Sequence, residues 1–238
     1  ILEGHTCIMI KVFDTKLISP EMFWEVVYLP YKFTRTDDVN LEGNPSDAQA
    51  TMYWTHQLYN FCPVDDPDYH QNAGLEASNN KIYLDVLNYL EATVPDLPPR
   101  ANLYASYVNV LKNGDLPGIH VDAPYFVEDN LTVLVYLNAE WRQNWGGETI
   151  FYDHNLDAKK IVSLKPGRVV MFDGRIPHTG RAPIGTTPFS RYILAYKYMK
   201  PETRQKLFVD HEMNGMPPVM DHGIVGFDPK TVATLDLT

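Results

Sequence analysis

From residue 101 onward apolar and polar residues alternate, and turn signals interrupt the alternation every few residues. No other feature restricts the fold as much. The runs 102–109, 118–122, 131–137, 148–152, 160–163, 168–172, 177–180 and 190–198 read as short strands. Asn113-Gly114-Asp115, Gly146-Gly147, Pro166-Gly167, Asp173-Gly174 and Pro183-Ile184-Gly185 separate them. About eight short strands so closely spaced imply a sandwich or barrel.

The first hundred residues have a different rhythm. Residues 7–13 read as a strand, and Ser19-Pro20-Glu21 opens a helix with Ser as N-cap and Pro in the first turn. Residues 49–61 read as helical, and residues 80–94 give the clearest helix, stopped by Pro95, Pro98 and Pro99. The acidic stretches 36–48 and 63–79 read as loops. Residues 201–209 read as a short helix and 210–238 as an extended tail. The expected class is therefore α+β in a single domain, 1–238. Within it, 1–100 forms a helix-rich support, 101–200 the β core and 201–238 a C-terminal helix and tail.

Composition narrows the partners. A net charge of -10 disfavours tracking of nucleic acid phosphates. No run of 18 apolar residues is present, so no membrane helix is expected. Ile1 to Thr6 lack the basic and apolar regions of a signal peptide, and the expected compartment is cytoplasmic. Cys7 and Cys62 offer no disulfide framework and read as reduced structural thiols.

The chemistry is carried by Gly118-Ile119-His120-Val121-Asp122. On a strand, residues two apart share a face, so His120 and Asp122 project together. His178 is the third candidate, in Ile176-Pro177-His178-Thr179. Two histidines and one carboxylate on one side of a metal suit non-haem Fe(II). A lone His-x-Asp also arises by chance on a surface strand. In Ser190-Arg191-Tyr192-Ile193-Leu194-Ala195, the alternation puts Arg191 on the face of Ile193 and Ala195. Such an arginine is either buried and paired or reaches into a pocket, where its planar fork suits a carboxylate. Arg181 is a rival for that role. His5, His56, His70, His154, His211 and His222 have no partner at ligand spacing, and Asp173 reads as a turn residue. Trp141 and Trp145 read as packing residues.

Together these motifs resemble the Fe(II)/2-oxoglutarate-dependent dioxygenases, in particular the prolyl 4-hydroxylase-like branch. The resemblance runs through Tyr107 in Ala-Ser-Tyr-Val-Asn, His120-Val121-Asp122, Tyr136-Leu137-Asn138-Ala139-Glu140-Trp141, Gly146-Gly147-Glu148-Thr149, His178 and Ser190-Arg191-Tyr192. It implies a double-stranded β-helix, or jelly-roll, core flanked by N-terminal helices. It implies Fe(II) held by His120, Asp122 and His178, with 2-oxoglutarate and O2 as cosubstrates and ascorbate as a stimulant. Arg191 would pair with the far carboxylate of 2-oxoglutarate, and Tyr107 and Tyr136 would aim hydroxyls at it or serve as core residues. The implied reaction is hydroxylation of an unactivated C–H with release of succinate and CO2. Peptidyl proline is the first implied substrate, and free amino acids or small metabolites are the alternative. Asp122 argues against halogenation, since the related halogenases lack that carboxylate. A cupin-like metal protein that ignores 2-oxoglutarate and a non-catalytic β-barrel module are the competing readings. Ala123-Pro124-Tyr125-Phe126 is expected at the entrance to the site.

Overall fold

The computed structural model describes residues 10–36, 51–60, 80–123, 127–185 and 187–206. Two antiparallel sheets face each other. The larger has seven strands in the order β1-β8-β5-β10-β4-β3-β2, and the smaller has three, β7-β6-β9. The strands are β1 (Lys11–Asp14), β2 (Lys32–Thr36), β3 (Thr51–Asn60), β4 (Leu103–Leu111), β5 (Leu131–Tyr136), β6 (Thr149–Tyr152), β7 (Ala158–Val162), β8 (Arg168–Phe172), β9 (His178–Gly180) and β10 (Arg191–Tyr198). This mostly antiparallel, two-sheet arrangement with few helices is the expected jelly-roll core.

Alternation along each central strand assigns the two faces of the large sheet. On β10, Leu194, Tyr196 and Tyr198 point outward with Val108, Val133, Val135 and Met171 of the neighbouring strands. Helices cover this face. Helix α1 (Pro20–Val27) starts where the Ser19 hydroxyl accepts from the Met22 N–H, and it buries Phe23 and Val26. Helix α2 (Lys81–Thr93) is capped by the Asn80 side chain and buries Ile82, Val86, Leu87 and Leu90. These apolar residues form the stripe that the helical period demands. Truncating Leu87, fully buried against the sheet, to Ala should cost about 2–5 kcal/mol. Tyr196 ties helix to sheet by donating its hydroxyl to the Tyr83 carbonyl at 2.7 Å.

The opposite face carries Leu134, Tyr136, Val170, Phe172, Ile193 and Ala195, which pack against Phe151, Val162 and Leu164 on the small-sheet side. Loop chemistry brings the sheets together. Pro166-Gly167 closes a turn in which the Arg168 N–H donates to Lys165 O at 3.1 Å. Gly167 has φ +69°, where a Cβ would also meet Thr15 O at 2.9 Å, so glycine is required.

Three expectations change. The stretch 49–61 is not helical, because Thr51–Asn60 pairs as a strand with β4. Its β-branched and aromatic side chains suit that pairing. The stretch 118–122 is not a continuous strand; it touches the small sheet through a single bridge between His120 and His178. Strand β2 had no counterpart in the pattern-based reading. The helix read over 201–209 is present over 201–206. The stretches 1–9, 37–50, 61–79, 124–126 and 207–238 lie outside the described residues, and with them the acidic loops, Cys7, Cys62, most of the expected entrance and the tail. No helix among the described residues is long and apolar enough to cross a membrane.

Candidate metal centre and anion cavity

His120 and His178 bond to each other through their backbones, the N–H of each donating to the carbonyl of the other at 3.0 and 2.9 Å. This reciprocal bridge lays the imidazoles side by side, with ring centroids 4.4 Å apart. In each ring Nδ1 faces a carbonyl two residues back: Gly118 O at 3.1 Å for His120 and Ile176 O at 2.9 Å for His178. A carbonyl only accepts, so each Nδ1 carries a proton, and in the neutral ring Nε2 is the atom left to bind a cation. The two Nε2 atoms turn toward Asp122, at 3.6 Å from Oδ1 for His120 and 3.6 Å from Oδ2 for His178. Among the described residues these three make the one group able to hold a metal, with ligand atoms all within 4.8 Å of one another. Burial pushes the His178 imidazole down to about 4, aided by the neighbouring His120, so it is neutral at pH 7 and able to bind a cation.

Asp122 is itself fixed from several sides. Its backbone N–H donates to Gly174 O at 2.6 Å, while the Gly174 N–H donates to the Asn130 side chain. The Lys197 ammonium donates to Oδ1 at 2.9 Å and the Thr132 hydroxyl to Oδ2 at 2.7 Å. All three side chains are buried. Burial alone would raise the carboxyl, but Lys197 and the two imidazoles outweigh it and hold the carboxyl below the ordinary range. Burial would likewise lower the Lys197 amine, and Asp122 reverses that, so the ammonium stays charged.

A cavity of ≈ 100 Å³ opens beside this group, bordered by His120, Asp122, His178, Tyr107, Thr149 and Arg191. Arg191 is buried, 4% exposed, and its Nε donates to Gly147 O and its Nη2 to Thr149 Oγ1, both at 2.9 Å. Among the described residues no carboxylate lies in ion-pair range of it, and burial pushes its guanidinium downward. A Cβ at Gly180 would lie 2.7 Å from Arg191 Nη1, so glycine there leaves room for the guanidinium against the β9 backbone. The Tyr136 hydroxyl sits 2.7 Å from Thr149 Oγ1, which makes Tyr136 part of the support around Arg191. Tyr136 is fully buried; Tyr107 borders the cavity itself, and burial pushes its phenol up to about 12, so it remains a hydroxyl donor.

Every sequence-based site candidate is therefore in this region except Arg181, whose side chain is 55% exposed and 3.7 Å from Glu148. Asp173 is occupied by Arg175 in the turn, and Asp153 beside His154 accepts N–H groups of its own loop, so neither joins the site. Trp141 and Trp145 pack edge to face, with ring centroids 5.6 Å apart. Sequence reasoning missed Lys197 and Thr132, and it placed Thr149 in a motif without giving it a role. Continuing the alternation of Arg191, Ile193 and Ala195 by two residues would have placed Lys197 on the same face.

The donor set fits Fe(II): two imidazoles and one carboxylate gathered together, with open space beside them. Residues 105–198 match the family model of the 2OG-Fe(II) oxygenase superfamily. Over this segment the chain is similar to that superfamily. No curated protein sequence matches the chain. Among solved structures, it is similar to a prolyl hydroxylase from Trichoplax adhaerens bound to a hypoxia inducible factor oxygen degradation domain peptide. That pair shares 17% identity and a TM-score of 0.49, covering 83% of this chain and 86% of the other. It is also similar to a viral collagen prolyl hydroxylase of Paramecium Bursaria Chlorella virus-1 in its 2OG complex, with 14% identity, TM-score 0.45 and coverage of 80% and 96%. A Pseudomonas putida prolyl-4-hydroxylase gives 13% identity, TM-score 0.44 and coverage of 82% and 94%.

Proposed function

We propose that this protein is an Fe(II)- and 2-oxoglutarate-dependent dioxygenase that hydroxylates an unactivated C–H bond, with a prolyl residue of a peptide or protein as the substrate class. The observation that carries the reading is a buried arginine with no carboxylate in ion-pair range among the described residues, in the same cavity as a His-Asp-His cluster. Either alone has ordinary explanations. Together they match a ligand that chelates a metal at one end and presents a carboxylate at the other.

His120, Asp122 and His178 would hold Fe(II). Bound iron, with 2-oxoglutarate and O2, would supply the oxidation of the substrate C–H, coupled to conversion of 2-oxoglutarate to succinate and CO2. The chain's own residues bind, orient and exclude water. Arg191 donates to the distal carboxylate of 2-oxoglutarate, and Thr149 and Gly147 keep its fork from rotating. Tyr107 offers a hydroxyl within the cavity. Leu134, Ile193 and Ala195 make its wall apolar, which strengthens the polar contacts inside and keeps solvent from the reacting atoms. The Nδ1–H groups of both imidazoles donate to backbone carbonyls, so each ring keeps a fixed orientation.

Anaerobic addition of Fe(II) and 2-oxoglutarate to the folded protein should give a weak visible charge-transfer band, and admitting air with a proline-containing peptide should yield succinate. A folded sample with neither band nor succinate would refute the dioxygenase reading. Succinate release with free amino acids or small metabolites, but not with peptides, would move the substrate class and leave the chemistry in place.

A further inference from the structure

Lys197 and Thr132 sit directly opposite each other, on adjacent strands β10 and β5. They take one oxygen each of the same carboxylate, Lys197 the Oδ1 and Thr132 the Oδ2 of Asp122. Neither belongs to the cavity wall, so neither is placed to meet substrate or cosubstrate. Both act on Asp122 from behind. We propose that this cross-strand pair is a positioning device that makes Asp122 bind iron through a single oxygen. The proposal rests on the dioxygenase reading and deepens it.

The physical reason lies in counting positions. Iron of this class takes six ligands. An iron held here by two imidazoles, one carboxylate oxygen and the two donor atoms of 2-oxoglutarate would keep one position free. A carboxylate that closed on the metal with both oxygens would take the sixth, or displace one arm of 2-oxoglutarate. A carboxylate oxygen already engaged by a charged N–H donor is a poorer metal ligand, because its electron density is drawn toward the ammonium. Lys197 supplies that donor on Oδ1, and Thr132 fixes the rotation of the group by holding the other oxygen. Ala105, Lys197, Thr132 and Phe172 form one inward-facing row across β4, β10, β5 and β8. Its central members are therefore held by four strands of ladder hydrogen bonds rather than by a loop.

The test is the affinity of the anaerobic Fe(II) protein for 2-oxoglutarate, read from the charge-transfer band, in Lys197→Met, Lys197→Arg and Thr132→Val. Lys197→Met should keep or tighten Fe(II) binding. It should weaken 2-oxoglutarate about tenfold or more and shift the band maximum. Lys197→Arg, which restores a charged N–H donor, should recover most of both. Thr132→Val alters no charge and should weaken 2-oxoglutarate in the same direction by a smaller factor. If Lys197→Met does not fold, Thr132→Val decides alone. Unchanged 2-oxoglutarate affinity and band position in Thr132→Val would overturn the proposal; with a weakened folded Lys197→Met, the lysine would act through charge only. A wild-type protein without any band would instead refute the dioxygenase reading, so the two failures are distinguishable.

Discussion

Strand β10 carries two buried cations on one face, six residues apart, and they live under opposite conditions. Lys197 has its counter-charge built in, 2.9 Å away on Asp122. Among the described residues Arg191 has no carboxylate in ion-pair range; its neighbours are the Gly147 carbonyl, the Thr149 hydroxyl and the Tyr136 ring. Removing a charge from water costs several kcal/mol unless a partner compensates, so the lysine is satisfied by the fold and the arginine is not. The lesson is about reading buried charge: the paired ion belongs to the architecture of a site, and the unpaired one marks where a ligand of opposite charge is missing. The comparison breaks if removing either partner of the lysine pair is harmless, or if removing the arginine is costly to the free protein.

The largest effect is expected at the paired end. Asp122→Ala strands the Lys197 ammonium without a counter-ion and removes a metal ligand in one step. The free protein should lose about 3–5 kcal/mol of stability, seen as a lowered denaturant midpoint. Fe(II) binding and succinate formation should disappear. A variant as stable as wild type would show that water reaches Lys197 and that the pair is not buried in solution.

Arg191→Met tests the other end and should behave in the opposite way. Without cosubstrate the variant should melt at the wild-type temperature or above it, since an uncompensated guanidinium leaves the interior. Its affinity for 2-oxoglutarate should fall by about 2–5 kcal/mol, the usual cost of removing one partner of a buried charge pair. Fe(II) binding should persist. A large loss of thermal stability in the free protein would mean that Arg191 is structural and would dissolve the contrast with Lys197.

The difference between the two cations also explains how much of the site was legible. Arg191 stood out because a charge interrupted an apolar alternation, Ile193 and Ala195 lying on its face. Lys197 continued the same face but fell between Tyr196 and Tyr198, near the end of the strand, where a lysine is read as solvated. Thr132 gave no signal, and Thr149 entered only as the last residue of a motif, because threonine is ordinary in strands and its hydroxyl acts only through a partner that the fold brings near. The linked motifs revealed the metal cluster and the jelly-roll, since those depend on spacing along the chain. Strand β3 was misread because its partner is β4, some fifty residues on, and a long-range pairing overrode the local pattern.

A moderate effect is expected from pH at the metal corner. In chelator-treated protein, His178 titrates at about 4, against 6.5 for an ordinary imidazole. Between these values the unfolded chain binds a proton that the folded chain refuses. Stability is therefore full above pH 6.5 and declines as pH falls toward about 4. The depressed Asp122 carboxyl works in the same direction, but its loss begins only below the ordinary carboxylate value of 3.8. Melting temperatures from pH 7.5 to 4.5 should fall in wild type, and the fall should be shallower in His178→Gln. An equal fall in both would assign the acid sensitivity to other groups.

The smallest effect separates the two arginines that the motif alone leaves as rivals. Arg181 lies on the surface, and its contact with Glu148 spans 3.7 Å, beyond hydrogen-bond range. A contact this long, with its cation on the surface, contributes at most about 1 kcal/mol and is screened by salt. Arg181→Ala should therefore leave the affinity for 2-oxoglutarate within about twofold of wild type, with a stability change within about 0.5 kcal/mol. A tenfold loss of 2-oxoglutarate affinity in Arg181→Ala, with Arg191→Met unaffected, would transfer the anion role to the surface residue. It would also leave the buried guanidinium of Arg191 unexplained, which is why the interior residue is the one expected to matter.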